Sequence, residues 1–242
     1  SFQAFVREVD NLLVFDNDAW RKTGESVQGG YDEINDEIVK RFGVLFGAGE
    51  VEQGGEVAES VVDSSEIINT LAGGGVSTVG YASETVENSS NSGGGLLSKF
   101  TGGKKSQPED SANTTNRITS LVRKAALGRL TLPCEIDGSE RALLVTAGPP
   151  AYLNRKGIER GRKWLEEQTG SMEVRGGDYP VRNSGSVAAV VLLAGVTNVP
   201  RIKELQQVAI EAQDNIDDIR QESEENLHEL VEDDDDELEP LF

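Results

Sequence analysis

The sequence predicts an α/β fold, a mixed sheet with helices on one or both of its faces. Three observations carry this. Apolar runs with strand-like patterning recur at 76–86, 140–149, 171–182 and 186–196. Amphipathic helical stretches interrupt them at 116–127 and 155–169, the alternation expected when helices pack on a sheet. The last run, SVAAVVLLAGV, is apolar throughout, which places it at the centre of the sheet.

In chain order, Phe2, Phe5, Val6 and Val9 recur at helical spacing and read as the end of a helix. NLLVFD (11–16) reads as a short buried strand closed by a turn. Gly24, Gly29 and Gly30 then mark a loop. From Tyr31, apolar side chains at Ile34, Ile38, Phe42, Leu45 and Phe46 repeat at three and four, with acids early and Lys40 and Arg41 late. That helix would run about 25 Å before Gly47 and Gly49 stop it. Residues 51–71 read as a loop leading into a second, short helix capped by Asp63 or Ser64.

LAGGGVSTVGYAS (71–83) looks at first like a phosphate-binding loop. Such loops work by aiming backbone N–H groups from a helix N-terminus. Here the glycines lead into an alternating Val/Ser/Thr pattern, so a turn into a strand is the better reading. Residues 87–116 are rich in Ser, Gly and Asn and predict a long mobile loop. Within it, Leu96, Leu97 and Phe100 beside Lys99, Lys104 and Lys105 read either as a passive insertion or as a contact for an acidic partner. Residues 200–231 form a helical stretch that runs on into EDDDDELEPLF.

The chain has 242 residues, enough for one large domain or two modest ones with a real core. Its only cysteine, Cys134, cannot form an internal disulfide, which fits a reducing cytoplasm. No apolar run reaches the roughly 18 residues of a membrane span. A net charge of −20 argues against nucleic acid and anionic membrane as partners. From Asp214 to the end, fourteen acids face one base, Arg220, a density suited to an interaction tail or to a salt-rich cell. His228 has no second histidine or cysteine near it in sequence and reads as solvated rather than as a metal ligand.

No nucleophile triad or zinc spacing is legible. The suggestive pair is Asp63 and Glu66, three residues apart and therefore on one helix face. Paired acids can orient a water, act as a base or bind Mg²⁺. Alone, they read first as acids stabilised at a helix N-terminus. A stand-alone Mg²⁺-dependent hydrolase built on them is disfavoured, because no other polar residues visibly converge there.

Three stretches together supply context. VFDND closing a strand, GYDEIND opening a long helix and VDSSEIINTL after it resemble the tubulin/FtsZ superfamily in order and spacing. In that family a strand ends in Asp-Asn, and a helix begins with Tyr and carries Asn four residues later. The matching residues are Asp16-Asn17, Tyr31 and Asn35. The resemblance implies that Tyr31 stacks on guanine while Asn17 and Asn35 hydrogen-bond it. Tyr31 and Asn35 lie one turn apart on one face. Stacking on a base is worth roughly 1–3 kcal/mol, and asparagine offers both donor and acceptor. The family's Asn-x-Asp-x-x-Asp/Glu loop, which enters the next subunit's nucleotide site, matches at Asp63 and Glu66, with Val61 where the asparagine would stand.

LLVFDNDAW, the acidic balance and the ending LEPLF are most similar to CetZ, the tubulin-like group of halophilic archaea associated with cell shape. The resemblance implies the end of a Rossmann-like GTPase domain over 1–30, a central helix over 31–49, and a mixed-sheet C-terminal activation domain over 50–212. That domain would contain a catalytic loop at 56–71 and a mobile lateral-contact loop at 87–115, with a partly disordered acidic tail at 213–242. It further implies GTP or GDP with Mg²⁺ as ligands, head-to-tail self-association into protofilaments, and a partner for the tail. The family's Gly-Thr-Gly phosphate loop belongs to a first half that this sequence does not include. The alternative is a non-catalytic module that docks on or caps a filament through 51–71 or recruits partners through its tail.

Overall fold

The computed structural model describes residues 5, 7–21, 27–49, 62–86, 111–171 and 173–235. Contacts divide the chain into two compact units, one ending at Val199 and one beginning at Pro200. Gly24, Val61, the island at 96–105 and the last seven residues lie outside the described residues, as does most of the expected loop at 87–115.

The first unit is built on a five-stranded mixed sheet. Its strands are β1 (Leu12–Leu13), β2 (Val76–Thr85), β3 (Arg141–Gly148), β4 (Glu173–Pro180) and β5 (Ser186–Ala194), in the spatial order β1-β2-β5-β3-β4. β5 is central, as its unbroken apolar run implies, and pairs antiparallel with both β2 and β3. β1 pairs with β2, and β4 with β3, in parallel.

Helices cover both faces. α1 (Asn17–Trp20) and α2 (Val27–Gly49) follow β1, α3 (Ser64–Leu71) precedes β2, and α4 (Ser111–Leu127) and α5 (Arg155–Thr169) flank β3. Leu45 and Ala48 of α2 and Ile67 of α3 share a buried cluster with Val79, Leu143, Val145, Val190 and Leu192 of the sheet. The alternate strand residue Leu144 points the other way, toward α5, where Gly161 brings the helix against Leu144 and Val122. Asn154 caps α5 by accepting from the Gly157 N–H at 2.6 Å, and Gly170 ends it with a left-handed φ of 66°.

Several boundaries differ from expectation, each for a physical reason. The strand expected over 11–16 is only two residues long and half-buried, because it is an edge strand. Val14 still donates to Ser77, but Asp16 donates to the Thr131 carbonyl at 2.7 Å, which draws the chain off the sheet. α2 starts at Val27, so Gly29 and Gly30 lie inside a helix of about 35 Å rather than in a loop. The inward stripe of Ile34, Leu45 and Ala48 offsets the roughly 1 kcal/mol each glycine costs. α4 begins at Ser111, so the last residues of the expected 87–115 loop are helical. Its inward face continues upstream as Thr114 and Thr115, and the Thr115 hydroxyl bonds back to the Ser111 carbonyl at 2.8 Å. β4 ends at Pro180, since Val181–Gly185 form the turn to β5, and β5 ends at Ala194, where Gly195 takes a left-handed φ of 67°.

The glycine loop is a turn into a strand. Gly74 and Gly75 take left-handed φ values of 79° and 78°, and β2 follows at once. The Asn11 side chain fastens the turn by donating to the Leu71 and Gly74 carbonyls, both at 3.0 Å. No helix N-terminus follows the glycines, so no phosphate cradle forms here.

The described residues of the second unit form one helix, α6 (Pro200–Asp235), whose first turn carries an Arg201–Glu204 pair at 2.8 Å. The acidic stretch from 213 is helical as far as Asp235.

Candidate functional site

α3 positions the acid pair. Asp63 is its N-cap, accepting from the Glu66 N–H at 3.0 Å and from the Ser65 hydroxyl at 2.5 Å. The Val62 N–H donates to the Asp178 carbonyl of β4 at 3.4 Å, which anchors the helix entry to the sheet. Ile67 and Thr70 are buried beneath, so Asp63 is presented outward and Glu66 is half-buried.

The two carboxyls are driven apart in acidity. The Ser65 hydroxyl and the Glu66 N–H hold Asp63 below the usual aspartate range. Burial, and then the negative charge of Asp63, push Glu66 up, with Arg175 and Arg162 pulling against them. One anion beside one more basic carboxylate is the arrangement acid–base chemistry uses.

Sequence reasoning missed the basic neighbours. Arg175 of β4 donates twice to one Glu173 oxygen, at 2.9 and 2.7 Å. Arg141 of β3 pairs with Glu173 at 3.0 Å and donates to the Asn69 carbonyl of α3 at 3.3 Å. These residues meet α3 only through sheet register, and no local pattern around residues 141 or 175 announces it.

The expected base-binding residues lie elsewhere in the unit. Asn17 opens α1 and is exposed, behind an Asp16 cap that accepts from Asp18 N at 3.2 Å. Tyr31 and Asn35 are exposed on one face of α2, while Ile34 turns inward. Tyr31 is 47% exposed, an open aromatic surface beside a carboxamide. The structure thus brings Tyr31 and Asn35 together on α2, and Asp63 and Glu66 together on α3. It joins Asn17 to neither by a hydrogen bond among the described residues.

Among the described residues, no three His, Cys, Asp or Glu side chains cluster so as to hold a metal ion. Burial pushes the Cys134 thiol up to about 11, so it is a poor nucleophile near neutrality. No helix of the described residues is long and apolar enough to cross a membrane.

The family model "Tubulin-like CetZ, C-terminal domain" matches residues 24–211, which include the whole five-stranded sheet but β1. The chain belongs to the CetZ family. Tubulin-like protein CetZ1 of Haloferax volcanii, a halophilic archaeon, is 82% identical to this CetZ chain over 222 residues, 91% of the chain and 56% of that relative. The chain therefore spans just over half the length of that relative. The GDP-bound monomer of Haloferax volcanii CetZ1 has a TM-score of 0.71 at 73% identity, covering 88% of this chain and 53% of that one. The GTPγS-bound protofilament of Haloferax volcanii CetZ2 has a TM-score of 0.70 at 40% identity, covering 89% and 55%.

Proposed function

We propose that this CetZ chain is the C-terminal part of a polymerising, tubulin-like GTPase of the cytoskeleton that acts in cell-shape control. Asn17, Tyr31 and Asn35 hold guanine on the chain's own side. Asp63 and Glu66 act on the GTP of the next subunit, where Glu66 takes a proton from the attacking water and Asp63 orients it. In the 1–30, 31–49 and 50–212 division, Asn17 belongs to the end of the GTPase domain, Tyr31 and Asn35 to the central helix, and Asp63 and Glu66 to the activation domain.

The observation that carries this reading is the outward-facing, differently acidic pair at the head of α3. A pair presented on an open surface rather than in a closed pocket needs a second molecule to complete the site. A head-to-tail contact supplies one and extends into a filament. The CetZ2 relative was solved as a protofilament with a GTP analogue, which is consistent with such a contact. Mg²⁺, carried on the nucleotide phosphates, neutralises charge in such reactions; the described residues form no ligand set of their own for it.

The test of the base-binding edge is Tyr31→Ala in the full-length protein. Losing a stack of roughly 1–3 kcal/mol weakens GDP and GTP binding about 5- to 150-fold. Equilibrium titration of the unassembled protein measures it. An unaltered affinity removes Tyr31 from the site.

A further inference from the structure

Arg41 is an anomaly in the inner face of α2. Its neighbours on that stripe are Ile34, Leu45 and Ala48, yet its own charged side chain is buried too, only 3% exposed. It pairs with the Glu37 carboxylate, and its Nη1 donates to the Glu37 carbonyl at 3.0 Å. Its Nη2 donates to the Arg129 carbonyl at 3.3 Å, while its Nε has no partner among the described residues. Burying a charged fork with an unsatisfied donor is costly, and an apolar residue would pack here at least as stably. The guanidinium is therefore better explained by the geometry it imposes than by stability.

That geometry concerns Trp20, the last residue of α1. The Arg41 guanidinium lies 4.4 Å from the Trp20 ring centroid, and that of Arg129 lies 4.8 Å away. The indole Nε1 donates to the Leu130 carbonyl at 3.3 Å. At the other end of α1, Asp16 donates to Thr131. The short helix that carries Asn17 is thus fastened at both ends to residues 130–131, and Arg41 fastens the same connection to α2, which carries Tyr31 and Asn35. Burial pushes the Glu37 carboxyl up, but donation from Lys40 and Arg41 outweighs it and holds the carboxyl below the usual range, so Glu37 stays ionised beside Arg41.

We infer that Arg41, stacked on Trp20, is a positioning residue for guanine recognition: it sets the placement of Asn17 on α1 relative to Tyr31 and Asn35 on α2. This rests on the base-binding reading above and adds to it residues that need not touch the nucleotide. Arginine is required for the role, because lysine offers neither a planar face for the indole nor a fork that reaches two carbonyls.

The test uses the full-length protein with Arg41→Lys, Trp20→Leu, the double variant, and Tyr31→Ala as control. Arg41→Lys is expected to weaken GDP binding about tenfold and to reduce discrimination of GTP over ITP, while kcat per assembled subunit at saturating GTP stays within twofold of the parent. Trp20→Leu weakens binding at least as much, since it also removes the Arg129 contact and the indole bond to Leu130, and the double variant adds little to Trp20→Leu, because both break the Arg41–Trp20 stack. Circular dichroism sets the folded fraction of each variant, so a loss of stability alone leaves the affinity of the folded fraction unchanged. Folded Arg41→Lys and Trp20→Leu proteins with parental affinity and discrimination overturn the inference. If Tyr31→Ala nonetheless weakens binding, the base-binding reading survives that result; if Tyr31→Ala is also silent, the reading itself has failed.

Discussion

Glu66→Gln in the full-length protein is expected to slow GTP turnover by about 10²–10⁴-fold, the usual contribution of a general base, while nucleotide affinity stays parental. Asp63→Asn slows it as well. Both substitutions are nearly isosteric, and the second keeps the α3 cap, since asparagine caps as well as aspartate and can still accept from the Glu66 N–H. A lost rate then reports lost charge rather than a frayed helix. The pH profile sharpens the point. Burial and the Asp63 charge raise Glu66, so the acid limb of turnover lies above the ordinary glutamate value of 4.5. Asp63→Asn removes one of those two causes, so the limb that remains moves to lower pH. Steady-state phosphate release across pH measures both effects. Unchanged turnover in both variants refutes the assignment of the acids.

Gly80→Ala has the second large effect, on stability. Gly80 lies in β2 directly beneath α4, and an added Cβ would overlap the Ala125 carbonyl oxygen and fall 2.9 Å from Leu130 Cδ2. The first obstacle is helix backbone and cannot rotate away, so α4 or β2 must shift. The expected cost is at or above the upper end of about 1–3 kcal/mol for overpacking. Gly43→Ala is the matched control. Gly43 lies within α2 with open space where a Cβ would go, so alanine there is neutral or stabilises by about 0.5–1 kcal/mol. Denaturant titration of the two variants compares them directly. A Gly80→Ala protein with the parental midpoint contradicts the packing of α4 on β2.

What the sequence made legible follows from how local each signal is. β5 was readable because a central strand is buried on both faces and becomes one apolar run. α5 was readable because its amphipathic period lies between Asn154 and Gly170. The start of α4 was hidden because threonines, which read as polar, form its buried face there. α2 was read short because its first turn contains two glycines, whose local cost is outweighed by packing that sequence does not display. At the candidate site, i, i+3 spacing suggested the pairing of Asp63 with Glu66, whereas Asn17, Tyr31 and Asn35 came from the family resemblance, with i, i+4 spacing putting the last two on one face. Arg175 and Arg162 were not legible, because they reach Glu66 from β4 and α5 and influence it through space. Arg41 was read only as a late basic residue of its helix, since nothing in the pattern distinguishes a buried arginine from an exposed one.

The central claim is that each subunit's acids act on its neighbour's nucleotide, and mixed filaments test it most directly. Full-length Tyr31→Ala and Glu66→Gln proteins are combined at a GTP concentration that saturates only the second. Each is nearly inactive alone. If the site is shared between subunits, a Glu66→Gln subunit with bound GTP meets intact acids wherever a Tyr31→Ala subunit follows it. In an equal random mixture that is about a quarter of all head-to-tail contacts, and turnover rises well above the sum of the separate proteins. If sedimented filaments contain both subunits and turnover never exceeds that sum, the acids do not act across the contact and the account is wrong.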